Sequence, residues 1–82
     1  MSLYMDVHNV KGADRKAVAE AHQKDLAIQS NYGVNYLKYW VDEGQGKIFC
    51  LCEAPSREAA EKVHREAHGL VADEIYEVQE GA

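Results

Sequence analysis

An α+β sandwich, four antiparallel strands covered on one face by two helices, is what three features of this 82-residue sequence predict. Two long segments without internal proline or glycine carry helical periodicity, and four shorter ones alternate or run apolar as strands do. Their order along the chain is β-α-β-β-α-β, the split βαβ, ferredoxin-like arrangement. A Gly-containing hairpin signal, Asp42-Glu43-Gly44-Gln45-Gly46, joins the two middle strands directly.

Leu3 to His8 alternates Leu3, Met5 and Val7 with Tyr4, Asp6 and His8, a strand with two unlike faces. If the apolar trio packs beneath the helices, Tyr4, Asp6 and His8 look out from the open side. Asn9 to Ala13, holding Gly12, is a turn, and Asp14 is a suitable N-cap for the first helix. That helix runs from Asp14 to Tyr32, with Gly33 where a C-terminal glycine belongs. Val34 to Val41 is rich in aromatic and β-branched residues, a second strand. Lys47 to Glu53 is an almost unbroken apolar run, which suits a central strand covered on both faces.

Pro55 breaks the ladder, Ser56 caps the second helix, and Glu58 sits early in it, where a carboxylate favours the helix dipole. Ala59, Ala60, Val63, Ala67 and Leu70 are its expected buried stripe, and Gly69 ends it. Asp73 to Gln79 is the last strand. Residues 1–82 are expected to form a single domain, since so short a chain has too little interior for two cores. Two helices cover only one face of such a sheet. The other is solvated or paired with a second subunit, and small size favours pairing, giving a dimeric α+β barrel.

The net charge is −5, with only nine Lys and Arg, and these are scattered. A phosphate-binding or nucleic-acid surface has no support, and a cation is the more natural charged partner. No stretch approaches the roughly 20 apolar residues of a membrane span. The N-terminal residues lack the basic start and apolar run of a secretory signal, so a cytoplasmic location without membrane association is expected. Cys50 and Cys52 share a strand face, where a disulfide needs unusual geometry; reduced thiols acting as small buried hydrophobes are the simpler reading. There is no serine-centred nucleophile motif, glycine-rich phosphate loop or CxxC pair.

The four histidines hold the chemistry. Each has a potential metal-ligating neighbour at the spacing its secondary structure makes adjacent: Asp6 beside His8 on a strand, Asp25 beside His22 on a helix, and His64 with His68. Divalent transition metals take imidazole and carboxylate ligands at about 2.0–2.2 Å, and such pairs supply part of a coordination sphere. Projected at helical periodicity, Val18, Ala21, His22, Asp25, Gln29 and Tyr32 fall on one side of the first helix. Polar groups in a stripe that normally packs on a sheet demand partners, either in a structural hydrogen-bond network or in a ligand site. On the second helix, His64 lies at the edge of the stripe and His68 farther round toward solvent. The zinc-protease pattern needs glutamate after the first histidine, and Arg65 stands there instead. Tyr36, Tyr39 and Trp40 read as core and interface aromatics.

Leu3 to His8, Ala21-His22 with Asp25-Leu26 and Gln29, Tyr32-Gly33-Val34, Tyr39-Trp40, Phe49-Cys50-Leu51 with Glu53-Ala54-Pro55, and Val63 to Leu70 together resemble the small nickel-binding proteins of bacteria. The resemblance spans nearly the whole chain. It implies a ferredoxin-like homodimer that sequesters or buffers divalent nickel rather than catalysing a reaction. Carried onto this sequence, metal ligation falls on His8, His22, His64 and His68, with Asp6 and Asp25 as further candidates. Cys52 departs from the aliphatic residue expected there. Copper binds such N/O donor sets more tightly by intrinsic affinity, and zinc comparably. Two other readings stay open. One is a cofactor-independent oxygenase or isomerase with His8, Asp6, His22 and Tyr39 as a general base and its support. The other is an interaction module whose polar cluster only stabilises a dimer.

Overall fold

A computed structural model describes residues 1–81 of the chain. Its elements are β1 (Ser2–Asn9), α1 (Arg15–Ile28), β2 (Asn35–Asp42), β3 (Lys47–Ala54), α2 (Arg57–Ala67) and β4 (Glu74–Val78), with a 3₁₀ turn over Gln29–Tyr32 after α1. The four strands form one antiparallel sheet in the order β2-β3-β1-β4. The ferredoxin-like α+β fold is therefore present, with both long connections made by helices. Among the described residues, no helix is long and apolar enough to cross a membrane.

Both helix starts follow from their capping residues. The Asp14 carboxylate accepts from the Ala17 N–H at 2.9 Å, and the Ser56 hydroxyl accepts from the Ala59 N–H at 3.2 Å. The first helix closes earlier than its composition predicts, at Ile28. The chain tightens into the 3₁₀ turn and leaves it through Gly33 at φ 68°, a left-handed conformation that glycine adopts without steric cost. Gln29, polar on an apolar face, has its reason here: its side-chain oxygen accepts from the Tyr36 N–H at 2.8 Å, beside the bulge in β2. Gly46 lets the β2–β3 hairpin close onto the end of β1, because a Cβ there would lie 2.9 Å from the Val10 carbonyl oxygen.

The sidedness of β1 is the reverse of the expectation. Tyr4, Asp6 and His8 lie beneath the helices, on the same face as Tyr36 of β2 and Ile48, Cys50 and Cys52 of β3. Asp6 is 0% exposed and His8 4%. Leu3, Met5 and Val7 take the open face, in register with Leu51 and Phe49 of β3 and with Val78 and Tyr76 of β4. The reversal is physically sound because both faces of the sheet are apolar enough to bury. Polarity on the inner face is tolerated because the network supplies partners: among the described residues no side-chain nitrogen or oxygen wholly sealed from solvent lacks one.

The helix stripes are corrected in the same direction. Val18 and Asp25 are the buried residues of α1, and Ala60, Val63 and His64 those of α2. His64, expected at the edge, is 1% exposed at the centre, while Leu70, expected inside, is 46% exposed. On β3 burial alternates strictly, so Ile48, Cys50, Cys52 and Ala54 are covered while Phe49 and Leu51 are half-buried. Only one face of this central strand is covered within the chain.

Candidate metal centre

His64 is the hub of a buried polar network. Strand β1 delivers Asp6 and His8, α1 delivers Asp25, β2 delivers Tyr36, and α2 delivers His64 itself. His68 lies at the C-cap of α2, one turn from His64 and on the same side. The His64 Nδ1 donates to Asp25 Oδ1 at 2.9 Å, and its Nε2 faces both oxygens of Asp6 at 3.0 and 3.2 Å. Tyr36 donates its hydroxyl to Asp6 Oδ2 at 2.8 Å, and its oxygen lies 2.9 Å from His64 Nε2. His8 donates from Nε2 to Asp6 Oδ1 at 2.9 Å. The His68 Nε2 lies 3.1 Å from Asp25 Oδ1, while its Nδ1 accepts from the Leu70 N–H at 3.1 Å.

These partners dictate protonation. An ionised carboxylate only accepts hydrogen bonds, and His64 has one at each ring nitrogen, so both nitrogens carry protons. Burial alone would drive the imidazolium toward neutrality, but the hydrogen bonds to Asp25 and Asp6 outweigh it, and the His64 pKa is pushed up to about 12. Burial likewise opposes ionisation of Asp6, yet bonds from His64 and His8 hold its carboxyl well below the usual range. Asp25 is lowered too, burial again being overcome by bonds from His64 and His68. Burial pushes the Cys50 thiol up to about 11 and the Cys52 thiol up to about 12, so neither is a thiolate at neutral pH. Two carboxylates around one imidazolium leave this core with one net negative charge.

A stability profile follows from these directions. The two depressed carboxyls contribute stability that is fully present above their ordinary values near about 4 and is lost as pH falls below them. The raised His64 contributes stability fully present below its ordinary value of about 6.5, and lost as pH rises from there through its folded value. Metal-free protein is therefore expected to be most stable between about pH 5 and 6.5, weakening on both sides, as urea unfolding at a series of pH values would measure. A profile still rising from pH 6.5 to 9 would contradict the doubly protonated His64.

The candidate ligands divide into two overlapping donor sets that share His64. Asp6, His8, Cys50 and His64 form one, Asp25, His64 and His68 the other, and within each set the donor atoms lie within 4.8 Å of one another. Two ligands at about 2.1 Å from one ion lie about 3 Å apart at right angles and about 4.2 Å apart across it, so donors spread to the full 4.8 Å would have to draw in by a few tenths of an ångström to share an ion. His22 joins neither set. Its ring packs on Tyr39 with centroids 4.7 Å apart, and burial, partly opposed by Asp25, lowers its pKa. It does line the same cavity of about 170 Å³ as His8, Asp25, His64 and His68. Two members of the network are absent from the candidates read from sequence. Cys50 reads from sequence as a small buried hydrophobe first, with thiolate ligation, which favours zinc or copper(I), as the alternative, and the structure places it in the first donor set. Tyr36 was read as a core aromatic, and nothing local distinguishes it from one.

A family model for the nickel responsive protein SCO4226-like family matches residues 4–78. The crystal structure of SCO4226 from Streptomyces coelicolor A3(2) is similar to the chain at a TM-score of 0.91 and 41% sequence identity, covering 99% of this chain and 100% of that one. No curated protein matches.

Proposed function

The chain belongs to the nickel responsive protein SCO4226-like family, and from that premise we propose that it binds a divalent transition metal, nickel first, to hold or buffer it. The observation that carries this reading is the pair of donor sets meeting at His64, buried and net anionic. Imidazole and carboxylate donors suit nickel, copper(II) and zinc, so the metal held in a cell depends on availability as well as on the ligands. His8, His64 and His68, with Asp6 and Asp25, are the residues proposed to hold it; His22 lines the cavity beside them.

The chain's own chemistry sets how such a site behaves. A ligating nitrogen must offer a lone pair, and His64 offers none while both its nitrogens are protonated. A metal ion therefore competes with a proton that two carboxylates stabilise. This makes the site unresponsive to trace metal and responsive to surplus, as buffering requires. His68→Ala removes a donor that contributes nothing to the Asp6–His64 bond, so the fold should survive. Calorimetry is expected to show nickel affinity reduced by about tenfold or more. Unchanged affinity would remove His68 from the site.

A homodimer paired through open sheet faces completes the reading. The support is Leu3, Met5, Val7, Trp40, Phe49, Leu51, Tyr76 and Val78, which share that face by register, with Trp40 and Tyr76 nearly half exposed in one copy.

A further inference from the structure

Holding a metal ion accounts for the imidazoles and carboxylates but not for the cavity beside them. We propose that this cavity binds a neutral, benzene-sized ring compound bearing a hydroxyl donor, of which phenol is the simplest, with the hydroxyl placed on His8. The cavity shares His8 with the proposed metal site, so the proposal is made for the metal-free protein.

Size comes first. The cavity holds about 170 Å³, between α1, the end of α2 and the inner face of the sheet. An apolar cavity of about 150 Å³ is enough for benzene. Val10, Ala13, Ala17, Val18, Ile48 and Leu70 form apolar walls, for which a bare dication has no use.

The polar atoms then choose the ligand's chemistry. His64 and Asp25 reach the cavity, but each already has its partners within the network. Both nitrogens of His68 are engaged, one with Asp25 and one with the Leu70 N–H. His8 is different. Its Nε2 bonds to Asp6, and since a carboxylate only accepts, Nε2 is the donor of that bond. Its Nδ1 is left with no hydrogen-bond partner among the described residues, on a ring that lines the cavity. His22 also lines the cavity, its ring packed at a tilt against Tyr39 and its nitrogens without partners among the described residues. A ring nitrogen without a partner, on a ring that lines an apolar space, can accept from a ligand's hydroxyl.

Charge narrows the class further. The two carboxylates outnumber the one imidazolium, so an anion is repelled, and a charged group of either sign would lose hydration against apolar walls. A neutral hydroxyl satisfies Nδ1 at no such cost.

Phenol and benzene titrated separately into metal-free protein at pH 8, followed by the amide signals of Val18 and Ile48 and the His8 ring signals, test the proposal. Saturable binding of phenol is expected, about fivefold tighter than benzene for the one hydrogen bond. Ala17→Leu and Ala21→Phe each place bulk at the cavity wall, at positions outside the polar network itself. Both should weaken phenol binding by about tenfold while preserving the folded spectrum, the exposed Ala17 site being the safer for folding. Absence of saturation, or saturation indifferent to both folded variants, overturns the site. Equal affinity for benzene and phenol overturns the hydroxyl contact. Metal plays no part in the titration, so failure of the nickel reading leaves this outcome intact.

Discussion

His64→Ala is expected to destabilise the metal-free protein by about 3–5 kcal/mol, the cost of leaving buried charge without its partner. Two carboxylates are affected at once: Asp6, which is 0% exposed, and Asp25, 2% exposed, both lose their charged donor. Neutralising one of those carboxylates in the same chain should return part of the loss, so His64→Ala/Asp25→Asn is expected to be more stable than His64→Ala alone. Urea unfolding monitored by the single tryptophan, Trp40, or by circular dichroism measures both. A His64→Ala chain within about 1 kcal/mol of native stability would mean that the hub is dispensable, which an exposed or weakly bonded histidine would be.

The second large effect concerns the open face of the sheet. Trp40→Glu together with Phe49→Glu sets two carboxylates side by side at one register position on adjacent strands, in the middle of an apolar surface. In a dimer joined by that face, four like charges would meet without counterions. The variant is expected to dissociate at least about 100-fold more readily, corresponding to roughly 3 kcal/mol or more. Light scattering at tens of micromolar should then report a dimer for the native chain and a monomer for the variant. A native chain that is monomeric under those conditions, or a variant that stays paired, would contradict the interface.

What could be read from the sequence divides along physical lines. Local signals were sufficient for the elements. Asp14 and Ser56 cap the two helices as their residue types require, Gly33 turns left-handed after α1, and hairpin residues 42–46 join β2 to β3. The element order then leaves little freedom in topology. The anomaly at Asp25 was also legible, because a carboxylate on the packed face of a helix must be satisfied somewhere. Its partner was not. The bonds that make Asp6 an inner residue reach Tyr36, 30 positions away, and His64, 58 positions away. Judged alone, Leu3, Met5 and Val7 were the better inward set, and only the tertiary network reverses that preference. His64 suffered the same way, since helical spacing with His68 identified the pair but not which of them the core would enclose. Tyr36 was correctly read as core, yet the role of its hydroxyl depends on two elements distant in sequence. His22, paired with Asp25 by spacing, turns instead toward Tyr39 and the cavity.

The proton on His64 links every part of the metal reading, and calorimetric titration of nickel into the metal-free protein, repeated in buffers of different ionisation enthalpy between pH 6.5 and 8.5, counts it directly. A ligand that must surrender a proton to bind requires release of at least one proton per nickel, with affinity rising about tenfold per pH unit, while stability of the metal-free protein falls over the same range. Nickel binding without proton release, or with an affinity that does not change across those two pH units, would show that the ion bypasses His64 and that the buried network serves the fold alone.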